Sequence, residues 1–142
     1  MSAQHNAEIA RTIYEAFNKH DFDACLALAS EDVEVVLTPF GQTFRGHAGF
    51  KDFMAGFKRA FPDITITITN QITTDDYVVN ECTWRGTHTG PLGAPTGDIP
   101  PTGKTVEGAV ICEVWRIKDG KLVSLRNYQD VSTWLRQLGL VS

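Results

Sequence analysis

Clustered positive charge is missing from this chain: no basic run exceeds two residues, and the formal net charge is −4. Nucleic-acid binding needs a concentrated basic footprint, so no nucleic-acid partner is expected. An anionic membrane surface is excluded on the same ground. No apolar stretch nears the ~20 residues that span a bilayer. The opening residues Met1-Ser2-Ala3-Gln4-His5 lack the basic-then-apolar pattern of a signal peptide, so the expected location is the cytoplasm. Cysteine is scarce. The three present, Cys25, Cys82 and Cys112, are odd in number, sit in apolar sequence and form no CxxC. They read as reduced core residues, which leaves no disulfide framework and no metal site. There is no GxGxxG and no P-loop, so no nucleotide cofactor is indicated. There is no GxSxG elbow either, so Ser/His/Asp nucleophile logic finds no support.

What is there fits one globular domain over residues 1–142. The length supports one well-formed core and is short for two, and 42% hydrophobic with 21% charged residues is ordinary for a globular chain. Ile9, Ile13, Ala16 and Phe17 recur at helical spacing over 7–17. Asp21 can cap a second short helix over 22–29, with Ser30-Glu31-Asp32 as its exit turn. A strand over 33–38 and a shorter one over 41–45 make a hairpin. A third helix over 47–60 has Phe50, Phe53, Met54 and Phe57 on its apolar side, and Pro62 stops it. Four strands follow, over 64–74, 77–89, 105–118 and 122–129, then a short helix over 131–138 ending at Gly139. Helices first and mostly antiparallel strands afterwards make an α+β domain, a curved sheet with helices on one face. The long irregular stretch 90–103 holds four Gly and four Pro. It is either a binding loop or a stiff connection at the sheet edge.

Alternation along strands then sorts candidate functional residues. On the strand 77–89, Val78, Asn80, Cys82, Trp84 and His88 share a face whose texture, apolar with sparse polar groups, is that of a ligand pocket. His88 serves either as an acid/base group or as an orienting hydrogen bond to loop backbone. On the last strand Leu122, Ser124, Arg126, Tyr128 and Asp130 share a face, provided no bulge interrupts the phase. Asp130 in an apolar pocket would have a raised pKa and act as a base near neutrality. Alternatively it caps the helix that starts at Val131. Tyr14 reaches the pocket mouth as a donor or fills the core. Trp84 and Phe57 line a cavity or pack the interior.

Read in order, Asn18-Lys19-His20-Asp21-Phe22-Asp23, Phe44-Arg45-Gly46 and Ala60-Phe61-Pro62-Asp63-Ile64 are followed by Gly86-Thr87-His88-Thr89-Gly90 and Pro100-Pro101-Thr102-Gly103-Lys104. Asp119-Gly120-Lys121, Asp130 and Gln137-Leu138-Gly139 complete the set. This string resembles the SnoaL-like polyketide and ester cyclases, within the nuclear transport factor 2-like, or cystatin-like, fold. The resemblance implies a cone-shaped, mostly antiparallel sheet with the N-terminal helices on its concave face. It implies a deep hydrophobic pocket, a homodimer, no metal and no organic cofactor. It also implies an intramolecular aldol condensation on a hydrophobic, polyketide-like carbonyl compound. Asp130 would be general base and then acid, with His88 as a secondary catalytic residue. From the strand faces and aromatics, and not from the resemblance, Tyr14, Phe57, Asn80, Trp84, Arg126 and Tyr128 are the candidate substrate-binding residues. Two other functions compete with this one. An epoxide-hydrolase-like enzyme would couple Arg126 and Asp130 to a second carboxylate, for which Asp98 is the remote candidate. A non-catalytic binder of a small hydrophobe would use Asp130 only as a cap.

Overall fold

The computed structural model describes residues 2–142. Helix α1 (Ala3–Asn18) is started by Ser2, whose hydroxyl accepts from the His5 amide, and it buries Ile9, Ile13, Tyr14 and Phe17 along one stripe. Asp21 caps α2 (Phe22–Ala27). Helix α3 (Gly46–Ala60) turns Phe50, Phe53 and Met54 inward. The strands are β1 (Ala29–Leu37), β2 (Gln42–Arg45), β3 (Thr65–Thr73), β4 (Tyr77–Thr87), β5 (Thr105–Lys118) and β6 (Lys121–Gln129), and α4 (Val131–Gln137) follows. They form a six-stranded sheet in the order β2-β1-β6-β5-β4-β3. Every described pairing is antiparallel except β1 with β6.

The α+β expectation holds: a curved, unclosed sheet carries helices packed against it. Register shifts interrupt four pairings, between Ala29 and Glu34, Ile68 and Asn70, Trp84 and Gly86, and Arg116 and Ile117. Such bulges bend and twist a sheet, and here they give the concave face on which α1 and α3 lie. One core runs between the helices and that face. Trp115 and Phe61 are each 1% exposed, and burying a side chain of that class stabilises the fold by about 1.5–3 kcal/mol.

Several boundaries differ from the sequence reading, and α1 starts at Ala3 and not at residue 7. The second helix stops at Ala27, and Ser30-Glu31-Asp32 belongs to β1 instead of an exit turn. The polar triplet is tolerated there because Ala29 already pairs with Leu122, and the bulge before Glu34 lets the exposed residues face water.

Candidate active site

Between α1, α3 and the concave face lies a cavity of about 40 Å³. Phe17, Phe50, Phe53 and Phe57 wall it from the helices, and Trp84, Ile111, Trp115 and Leu125 from the sheet. Its polar groups are Tyr14, Glu113 and Asn127. Among the described residues, Glu113 is the one carboxylate on this wall.

Glu113 stands on β5 with Ile111, Trp115 and Ile117 turned the same way, so alternation alone drives it into the core. It is buried, and three donors converge on it. The Tyr14 hydroxyl donates to Oε1 at 2.6 Å, and the Trp115 indole N–H donates to the same oxygen at 3.2 Å. The Asn127 amide donates to Oε2 at 2.8 Å. The Tyr14 ring also stacks on Trp115, with centroids 4.9 Å apart. Burial raises the Glu113 pKa, and the hydrogen bonds from Tyr14, Asn127 and Trp115 offset only part of that. Burial, and then the nearby Glu113 charge, lift Tyr14 well above the ordinary phenol value, so it stays a protonated donor. Burial together with Glu113 pushes the Cys82 thiol up to about 12, which keeps it neutral.

The other sequence candidates fall into two groups. Tyr14, Phe57 and Trp84 do meet at the cavity. Asp130, Arg126, Tyr128, Asn80 and His88 are not on its wall. Asp130 is exposed and caps α4, accepting from the Thr133 amide at 3.2 Å and the Thr133 hydroxyl at 2.5 Å. The Thr133 hydrogen bonds hold its carboxyl below the ordinary value, the opposite of a poised base. The uninterrupted phase assumed for β6 is the source of the error. Pairing steps from Arg116 with Ser124 to Ile117 with Leu122, leaving Val123 as a bulge. Leu122 and Leu125 are then both buried, Asn127 faces in, and Arg126 and Tyr128 face out.

Asn80 is buried beside α1 and accepts from the Gln71 amide at 2.9 Å. His88 is fully buried, and its Nδ1 accepts from the Thr102 amide at 3.1 Å. Desolvation lowers its pKa, so the ring is neutral at pH 7. It ties β4 to the loop over 90–103. Asp98 is remote as well, paired at the surface with Arg59. The carboxylate pair and arginine of the hydrolase reading therefore do not converge.

The chain matches the SnoaL-like polyketide cyclase family over residues 7–138. It belongs to that family. A candidate polyketide cyclase, IdmH of Streptomyces antibioticus, is 28% identical with a TM-score of 0.78, covering 94% of this chain and 97% of its own. A candidate SnoaL-like polyketide cyclase from Jannaschia sp. CCS1 superposes with a TM-score of 0.86 at 17% identity, over 99% and 95% of the two chains. AclR of Streptomyces galilaeus, a candidate hydroxylase, gives 0.81 at 23% identity, over 100% and 89%. No curated protein matches the chain significantly.

For this SnoaL-like chain the sequence reading missed Glu113 and Asn127. Part of the signal for Glu113 was available: a carboxylate in phase with Ile111, Trp115 and Ile117, although simple alternation puts Glu107 in the same phase and only the irregularity before Ala109 turns it out. Asn127 was hidden by the Val123 bulge.

Proposed function

We propose that this SnoaL-like protein is an acid/base catalyst for ring closure or isomerisation of a hydrophobic carbonyl compound, with Glu113 as the base. The observation that carries this is one buried carboxylate of raised pKa at the polar end of an aromatic-walled cavity. The carboxylate form of Glu113 takes a proton from carbon alpha to a carbonyl. The resulting enolate carbon attacks a second carbonyl of the same substrate, forming the C–C bond, and the protonated Glu113 returns its proton to the new alkoxide. Atoms balance without a co-reactant, and the same group serves as base and then acid. The Trp84 indole N–H is buried with no acceptor among the described residues, so it is free to bind a substrate oxygen. The cavity as it stands holds about a water or two, so a flat substrate enters as the edge-packed Phe44, Phe53 and Phe57 part.

A second copy of the chain is the expected partner. It would cover the outer sheet face, where Ile72, Tyr77, Val110 and Tyr128 are all exposed.

The chemistry is tested by deuterium exchange alpha to the carbonyl of β-tetralone, a flat hydrophobic ketone, in heavy water. Glu113→Gln, which keeps size and removes the base, is expected to lose at least ~100-fold in enzyme-promoted exchange. Asp130→Asn, which retains a good helix cap, is expected to keep it. Equal rates in Glu113→Gln and wild type would sink the assignment.

A further inference from the structure

The hydrogen bonds of Glu113 continue beyond the cavity in one direction. Asn127 gives its amide N–H to Glu113 Oε2 at 2.8 Å, and its Oδ1 accepts from Gln129 Nε2 at 2.8 Å. Gln129 Oε1 in turn accepts from the indole N–H of Trp134 at 2.9 Å. Trp134 lies on α4, is buried, and packs edge-on against Phe61 and Trp84, with centroids 6.3 and 6.1 Å away.

An indole nitrogen can only donate, whereas a carboxamide presents an oxygen at one end and an NH₂ at the other. Trp134 therefore fixes which end of Gln129 faces it. That leaves Gln129 a donor toward Asn127, and so leaves Asn127 a donor toward Glu113. Turning Asn127 over would set two NH₂ groups face to face and bring a carbonyl oxygen against the Glu113 carboxylate. We propose that Trp134 and Gln129 are positioning residues, which hold the Asn127 amide so that it donates to the Glu113 carboxylate. This rests on Glu113 being the functional carboxylate.

The relay predicts how Glu113 titrates. The titratable groups near it are Tyr14 from α1, Cys82 from β4 and, on the opposite face of its own strand, Cys112, while β6 contributes the neutral Asn127. Burial raises the pKa of all three, so none gains charge across the acid range in which Glu113 titrates. Loss of the ordered amide donor removes a bond that favours the anion, and burial then acts with less opposition.

The experiment is a carbon-detected NMR titration of the Glu113 carboxyl in free wild type, Trp134→Phe and Gln129→Met. Both variants are uncharged; Gln129→Met is close in size to the native residue, and Trp134→Phe keeps an aromatic ring while removing the indole donor. The Glu113 midpoint is expected to rise by roughly one pH unit in each relative to wild type. A midpoint that stays put or falls in the folded variants overturns the relay. If Trp134→Phe loses its dispersed spectrum, Gln129→Met decides alone, because it leaves the Trp134 ring in its packing. A wild-type midpoint at the ordinary 4.5 is a separate result. It would count against Glu113 as a poised base, while the shift between wild type and variants still decides the relay.

Discussion

A carboxylate holds its proton longer where water cannot solvate the anion, and Glu113 is that case. Its folded pKa lies above the unfolded value of 4.5, so folding favours the protonated form. That contribution to stability is fully present below 4.5 and is lost as pH rises through the folded value. Glu113→Gln is neutral at every pH and lacks this loss. The melting temperature of Glu113→Gln relative to wild type is therefore expected to climb as pH rises above 4.5 and then level off. A pH-independent difference would show that Glu113 titrates normally. Asp130 has the reverse surroundings, open water and two Thr133 donors. The contrast separates a carboxylate that caps a helix at a strand end from one that is buried in the core. Sequence shows that Asp130 precedes a helix, but whether its side chain turns into a pocket or back onto helical amides depends on the strand phase. The inward phase of Glu113 among Ile111, Trp115 and Ile117 follows from alternation, but what separates it from the exposed Glu107 is the irregularity between Val106 and Ala109.

Among elements, the segment Gly86-Thr87-His88-Thr89-Gly90 is structural. Gly86 lies against Phe61, where an added Cβ would sit 3.0 Å from that side chain. His88 holds Thr102, and the Gly90 amide donates to the Ala60 carbonyl at the end of α3 at 3.1 Å. A Cβ on Gly90 would fall 1.8 Å from the Arg59 carbonyl oxygen, and backbone cannot give way there. Gly90→Ala is thus expected to cost ~2 kcal/mol or more in chemical denaturation. A loss below about 0.5 kcal/mol would mean that the loop is not seated on α3. Element identity and order were legible because hydrophobic periodicity and the Pro and Gly stops are local signals. The end of α2, the start of β1 and the phase of β6 were not, because bulges answer to pairing partners far away in sequence.

At the scale of the whole molecule, the curved sheet has one face filled by α1 and α3 and another left open. The cross-strand rows on the open face run from Ile72 through Val79 and Val114 to Arg126, and from Glu81 through Cys112 to Tyr128. Sedimentation equilibrium is expected to give a dimer for wild type and a monomer for the double variant Val110→Lys with Tyr128→Glu, both with unchanged helical content. A monomeric wild type would remove the outer face as a self-association surface. The covered face encloses Glu113, which makes the cone a device for keeping one carboxylate dry beside an aromatic-walled cavity. The most direct measurement of that claim is the pH profile of β-tetralone α-hydrogen exchange in wild type and Glu113→Gln. The wild-type rate is expected to rise with pH through a midpoint above 4.5, and Glu113→Gln is expected to show no such rise. A rise through the same midpoint in both proteins would contradict that claim.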